Sequence, residues 1–148
     1  MSEDIKKGLL GIVVDETTIS HVVPELSALT YRGYTVQELC DKCDFEEVAY
    51  LVLHGELPNK VQLKKFIKEE RSERKLSKQI LNDIQKMPKN AHPMDVIRTC
   101  VSLMALEDKD TKDNSLKANM RKAMRIFSKT PTAVAAYFRS RKSKKIIS

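Results

Sequence analysis

The spacing of apolar positions along this chain changes near residue 35. From Leu9 to Tyr34, β-branched residues crowd into Gly11-Ile-Val-Val and Thr17-Thr-Ile-Ser-His-Val-Val, with Gly8, Gly11, Pro24 and Gly33 as breaks. That mixture predicts two or three short strands separated by turns. Beyond it the apolar period becomes helical and stays so, with Pro or Gly at most joints. The expectation is a mainly α, multihelical domain preceded by a small β hairpin or short strands. Residues 1–34 would hold strands and turns, 35–139 the helices, and 140–148 a basic tail.

The first long helix is announced by Asp44 with Glu47 three residues on, a spacing that lets the two ends of a capping box satisfy backbone N–H groups of the first turn. Gly55 and Pro58 close it. Phe45, Val48, Ala49, Leu51, Val52 and Leu53 leave it apolar over most of its circumference, which predicts burial on more than one side. The next helix follows Asn59, with Val61, Leu63, Phe66 and Ile67 inward and Lys64, Lys65, Lys68, Glu69, Glu70 and Arg71 wet. Ser77 opens a short segment with Ile80, Leu81, Ile84 and Met87 on one stripe, ended by Pro88. His92-Pro93 starts another helix, with Pro where a missing N–H costs nothing and Asp95 in the first turn, and with Met94, Ile97, Val101, Met104 and Ala105 inward. Glu107 to Ser115 reads as a loop. Leu116, Met120, Ala123 and Phe127 then form a helical stripe, and Thr130-Pro131 restarts the chain as a last helix carrying Val134, Ala135 and Phe138.

Composition changes this picture little. At 148 residues, 41% apolar and 32% charged, the chain has globular proportions and no repeat. The longest candidate apolar run, Val48 to Leu53, is far below the roughly 20 residues of a membrane span. The segment Met1-Ser-Glu-Asp-Ile-Lys-Lys lacks both the apolar core of a secretion signal and the Arg-rich character of a transit peptide, so the expected location is a bacterial or archaeal cytoplasm. Charge is distributed unevenly. Residues 1–58 carry 4 basic and 11 acidic side chains, so the overall +7 places +14 in the remainder. Basic character peaks at Arg139, Arg141, Lys142, Lys144 and Lys145, beside Tyr137 and Phe138. Such a run can touch phosphates. A solvated helix end is the preferred reading, because cations are favoured there and no nucleic-acid motif accompanies the run.

Candidate chemistry is sparse. Cys40, Cys43 and Cys100 are an odd number of thiols in a chain without an evident secretion signal, which points to reduced cysteines, and Cys40 and Cys100 read as core thiols on helical stripes. Cys40 and Cys43 form a C-x-x-C, yet His21, His54 and His92 do not stand at zinc-ligand spacing, so no metal site is expected. His21 lies in a strand-like run. His54 closes a helix where an imidazole can bond terminal carbonyls, and His92 organises the turn before a helix. There is no phosphate loop, nucleophile elbow, dinucleotide fingerprint or zinc-protease motif.

Gly8-Leu-Leu-Gly-Ile-Val-Val-Asp, Leu29-Thr-Tyr-Arg-Gly-Tyr, Phe45-Glu-Glu-Val-Ala-Tyr-Leu-Val-Leu-His-Gly-Glu-Leu-Pro and His92-Pro-Met-Asp-Val-Ile-Arg-Thr resemble successive N-terminal motifs of citrate synthases, in that family's order. Lys117-Ala-Asn-Met-Arg-Lys-Ala and Lys129-Thr-Pro-Thr-Ala-Val-Ala-Ala-Tyr-Phe-Arg continue the likeness, which covers Gly8 to Arg139. The His92 segment and Asp15-Glu-Thr-Thr-Ile-Ser look more like the bacterial and archaeal type, which includes 2-methylcitrate synthases, than the mitochondrial one.

The resemblance implies a helical large domain and a small domain in a homodimer, joining oxaloacetate to acetyl-CoA or propionyl-CoA without a metal or redox cofactor. An Asp and a His enolise the thioester while another His polarises the oxaloacetate carbonyl. Those three groups belong to later motifs, H-x-x-x-N/S-T, G-P-x-H-G and a downstream Asp segment, which lie beyond the match. No catalytic residue is therefore carried over to this chain. It is expected to be an N-terminal part, truncated at 140–148 and inactive alone. The alternative is a non-catalytic remnant that binds through its basic C-terminal end; neither membrane nor nucleic acid is an expected partner.

Overall fold

The computed structural model describes residues 8, 11–24 and 28–147, so expectations resting on residues 1–7, 9–10, 25–27 and 148 lie outside the described residues. The described residues hold a three-stranded antiparallel sheet followed by six helices, the mainly α architecture expected. The chain divides into two units, Met1–Asn59 and Lys60–Ser148.

In the first unit, β1 (Ser20–Val23) pairs antiparallel with β2 (Ala28–Tyr31), from Ser20 opposite Tyr31 to Val23 opposite Ala28, and β3 (Tyr34–Thr35) pairs with the other edge of β2. Arg32 and Gly33 connect β2 to β3 with φ of 50° and 88°. Two successive positive φ values make the mirror-image turn whose twist matches a two-residue hairpin, and Gly33 takes the second at no steric cost. The Gly11-Ile-Val-Val run is not a strand; Val13 and Val14 are 83% and 71% exposed. β-branched composition makes a strand only where an adjacent edge accepts its backbone groups, and β1 is hydrogen-bonded to β2 alone.

Helix α1 (Val36–Lys42) starts at Thr35, whose Oγ1 accepts from Glu38 N–H at 3.2 Å while Glu38 Oε2 accepts from Thr35 N–H at 3.4 Å. Helix α2 (Phe45–His54) starts as its sequence predicts, with Asp44 N–H donating to Glu47 Oε2 at 2.7 Å, and ends at Gly55 with φ of 93°. Its burial differs from expectation. Only Leu51 is sealed, Val48, Ala49, Val52 and Leu53 are half-buried, and Phe45 is 70% exposed. Arg32 ties the hairpin to this helix, because its guanidinium donates to Thr18 Oγ1 at 2.7 Å and to Val52 O at 3.1 Å. Val52 is among the last four carbonyls of α2, which have no partner within the helix.

The second unit is built around one long helix. α3 (Lys60–Glu73), α4 (Lys78–Lys86) and α5 (Pro93–Glu107) all pack on α6 (Leu116–Arg141), whose 26 residues span about 39 Å. The core joins Leu76, Ile80, Ile84, Val96, Cys100, Met104, Ala133, Ala136 and Tyr137. The stripe of α4 and both of its ends stand where expected, and Ser77 Oγ accepts from Ile80 N–H at 3.1 Å. His92 caps α5 through Nδ1, accepting from Met94 N–H at 3.2 Å with Pro93 at the first helical position.

Four expectations here are corrected. Thr130-Pro131 does not restart the chain, because Pro131 sits inside α6 and the helix runs on through it. Proline gives up the bond its own N–H would make and crowds the carbonyl of the preceding turn, and the packing of α3, α4 and α5 on α6 holds the helix across that gap. On α5 the buried side is Val96, Cys100 and Met104, while Met94 is 61% exposed; on α6, Leu116, Val134 and Phe138 face out at 80%, 43% and 57%. On α3, Val61 is 78% exposed, and Glu70, expected wet, is buried against the Arg74 guanidinium at 2.7 Å.

Candidate functional site

The three histidines and three cysteines all lie among the described residues. His21 is exposed on β1, between Ser20 and Val22. His54 is exposed at the end of α2 with its ring stacked on Tyr50, centroids 4.1 Å apart. His92 is spent on the α5 cap. Cys100 is a core thiol, as expected, and burial pushes its pKa up. Cys40 is exposed on α1 rather than in a core, and Cys43 is half-buried. No cluster of three or more His, Cys, Asp or Glu among the described residues is arranged to hold a metal ion.

The densest polar geometry lies at the turn from α5 to α6. Asp108 caps the end of α5, and its carboxylate accepts from Arg125 Nε at 2.7 Å and Nη2 at 2.8 Å. Asp110 accepts from Arg121 Nε at 2.9 Å and Nη2 at 2.8 Å and also from Arg125 Nη2 at 2.6 Å. Arg121 and Arg125 stand one helical turn apart, and each meets a carboxylate side-on through Nε and Nη2, a strong bidentate pair. The guanidinium of Arg125 holds Asp108 below the usual carboxylate range, and Arg121 and Arg125 together hold Asp110 lower still. Both are fixed anions at neutral pH. They position a turn and cannot accept or deliver a proton there.

The second unit has two clefts, the first of which includes Asp108 and Arg125 of this frame. One of about 300 Å³ is lined by Glu73, Asp108, Lys109, Thr111, Lys122 and Arg125 over Met104 and Ile126. Another of about 480 Å³ is ringed by Arg71, Arg74, Lys75 and Lys78 over Leu76, Leu81 and Ile147. Neither is lined by a histidine or a cysteine. What they offer is charge and an apolar floor, the means of holding an anion rather than of moving a proton.

The basic run at the end of α6 is partly committed to structure. Arg139 Nε donates to Lys145 O at 2.6 Å, Arg141 Nε donates to Lys89 O at 2.9 Å, and Lys89 Nζ donates to Ser143 Oγ at 2.9 Å. Tyr137, the expected aromatic neighbour for a nucleic-acid surface, is 3% exposed, and its hydroxyl donates to Pro88 O at 2.8 Å and lies 3.2 Å from Ala91 O. These contacts favour the helix-end reading. Arg32, Glu70, Asp108, Asp110, Arg121 and Arg125 were not singled out by pattern. An acidic loop followed by two Arg at i, i+4 is the one signal that could have found the last four.

Comparison with known proteins places this geometry. The family model described as citrate synthase, C-terminal domain, matches residues 8–148. The 2-methylcitrate synthase of Mycobacterium tuberculosis is 49% identical over 139 residues, covering 94% of this chain and 35% of that protein. A citrate synthase of Mycolicibacterium smegmatis is 48% identical over 93% of this chain and 36% of its own length. The crystal structure of citrate synthase from Thermotoga maritima superposes with a TM-score of 0.82 at 33% identity, covering 97% of this chain and 37% of that one. The chain thus spans just over a third of the length of the relatives it matches.

Proposed function

Because this chain belongs to the citrate synthase family, we propose that it supplies the first helical part of an acyltransferase that condenses acetyl-CoA or propionyl-CoA with oxaloacetate, giving citrate or 2-methylcitrate. The observation that carries this is the family match over residues 8–148, together with 49% identity to a 2-methylcitrate synthase.

In this reading the chain contributes frame rather than chemistry. The acid–base groups that the resemblance implies come from the remaining two-thirds of the enzyme, and the enzyme works as a homodimer in the cytoplasm. The chain's own His54 and His92 stay structural. Its two forked Asp–Arg pairs and the buried Tyr137 hydroxyl hold α4, α5 and α6 rigid, which is what a catalytic centre requires of its scaffold.

The test is thiol release from acetyl-CoA or propionyl-CoA in the presence of oxaloacetate. The purified chain should give no more than the buffer rate. Mixed in trans with the complementary later part of the M. tuberculosis 2-methylcitrate synthase, it should restore turnover. Turnover by the chain alone that disappears on His92→Ala or His54→Ala would overturn the division of labour proposed here.

A further inference from the structure

The first unit carries a feature that the family assignment does not use. Cys40 lies in α1 and Cys43 caps its end, with Cys43 N–H donating to Leu39 O at 3.0 Å. Residues three apart in one helical turn have Cα atoms about 5 Å from each other, by the helix radius and rise. That is inside the range of about 4.4–6.8 Å found between the Cα atoms of bridged cysteines. Both residues also line one apolar depression of about 250 Å³, with Tyr31, Val36, Leu39, Phe45 and Val48. Cys40 is exposed and Cys43 is half-buried, whereas Cys100 is sealed in the core of the other unit at 1% exposure.

From this geometry we propose that Cys40 and Cys43 form a reversible thiol–disulfide site that reacts with small neutral disulfides and closes into an intramolecular bridge. The step balances. The Cys40 thiolate attacks one sulfur of the reagent, forming a mixed disulfide and expelling one small thiolate. Cys43, deprotonated, then attacks the Cys40 sulfur, forming the 40–43 bond and releasing the second small thiolate, which takes up a proton. Two protein thiols are oxidised and one reagent disulfide is reduced.

The surroundings select both the order and the reagent. Burial, with the carboxylates of Glu47 and Asp44, pushes the Cys43 thiol up against the weaker opposing pull of Lys42. The outer sulfur is therefore met first and the inner one resolves. Residues 1–58 carry a net charge of −7, which disfavours anionic disulfides and leaves neutral ones as the reagent class. The rim of the depression includes Phe45, itself 70% exposed, which gives a small apolar reagent a surface to rest on.

The full 148-residue chain is treated with 2-hydroxyethyl disulfide under native conditions, alkylated and mapped by mass spectrometry. The expected product has lost two hydrogens across Cys40 and Cys43, and Cys100 is alkylated only after denaturation. Cys43→Ser should stop at the mixed disulfide on Cys40, and Cys40→Ser should react at Cys43 about tenfold more slowly. A wild-type chain that stops at a stable adduct on Cys40, or that leaves both thiols unmodified while Cys100 reacts, would overturn the proposal.

Discussion

At the scale of single residues, two polar contacts set most of what can be tested. Tyr137 shows how one hydroxyl fixes three elements: it is carried by α6 and bonded to Pro88 O and Ala91 O in the link between α4 and α5. Tyr137→Phe keeps the ring and removes this donor from Ala91 O, while Pro88 O keeps the Ala91 N–H at 3.2 Å, so urea unfolding should show a loss of about 1 kcal/mol. The Asp–Arg frame makes a pH prediction. Asp108 and Asp110 have lowered pKa values in the folded chain, so the stability they confer is complete above the ordinary Asp value of about 3.9 and is lost as pH falls from there through the folded values. The gap in urea midpoint between the wild type and Asp110→Asn should stay constant from about pH 7 to 5 and shrink below about pH 4. A gap that widens on acidification would mean that the carboxylates oppose folding. None of these contacts is legible in a hydropathy pattern. A loop carboxylate and a helix Arg 15 or 17 positions later show no periodic relation, and only folding brings them within hydrogen-bond distance.

For whole elements the sequence is a better guide to ends than to faces. Capping chemistry is local, so Asp44 with Glu47, Ser77, and His92 with Pro93 fixed three helix starts, and Gly55 fixed a helix end. Faces depend on neighbours. α5 gathers Asp95, Arg98, Thr99 and Ser102 on one exposed face and leaves a broad apolar arc opposite, so its pattern does not say which part of that arc is buried, and α4 and α6 decide that Val96, Cys100 and Met104 go in. On α6 the buried positions include Ala118, Ser128, Ala133, Ala136 and Ser140, small residues that let helices approach closely but score weakly as hydrophobic. Two substitutions test the ends and interruptions. Gly55→Ala meets no atom within 4 Å, so its cost is that of the left-handed backbone alone, about 1–2 kcal/mol, read as a lower thermal midpoint. Pro131 is exposed and interrupts the ladder of α6, so Pro131→Ala should stabilise the chain by about 1–3 kcal/mol. A loss of stability in that variant would show that the packing of α6 depends on the ring.

For the molecule as a whole, each unit leaves apolar surface uncovered. Phe45 and Val22 in the first, and Met94, Leu106, Leu116 and Phe138 in the second, are all between 57% and 83% exposed. In the family reading these faces are covered by the rest of the enzyme. The purified chain should therefore associate with itself and bind a hydrophobic dye, more strongly at high salt, where screening weakens the repulsion between the cationic C-terminal parts of separate chains. A monodisperse monomer by sedimentation, with no dye binding, would show that the exposure is harmless. The central place of α6 also bears on synthesis. A ribosome delivers α3, α4 and α5 first, and the helix on which all three rest comes last, with Tyr137 some fifty residues behind its carbonyl partners. At about 5–20 residues per second, the 30 residues from the end of α5 to Tyr137 take roughly 1.5–6 s, an interval in which three amphipathic helices are outside the tunnel without their common support. During that time a chaperone has its opportunity to bind, and slower elongation while residues 108–137 leave the tunnel would lengthen it.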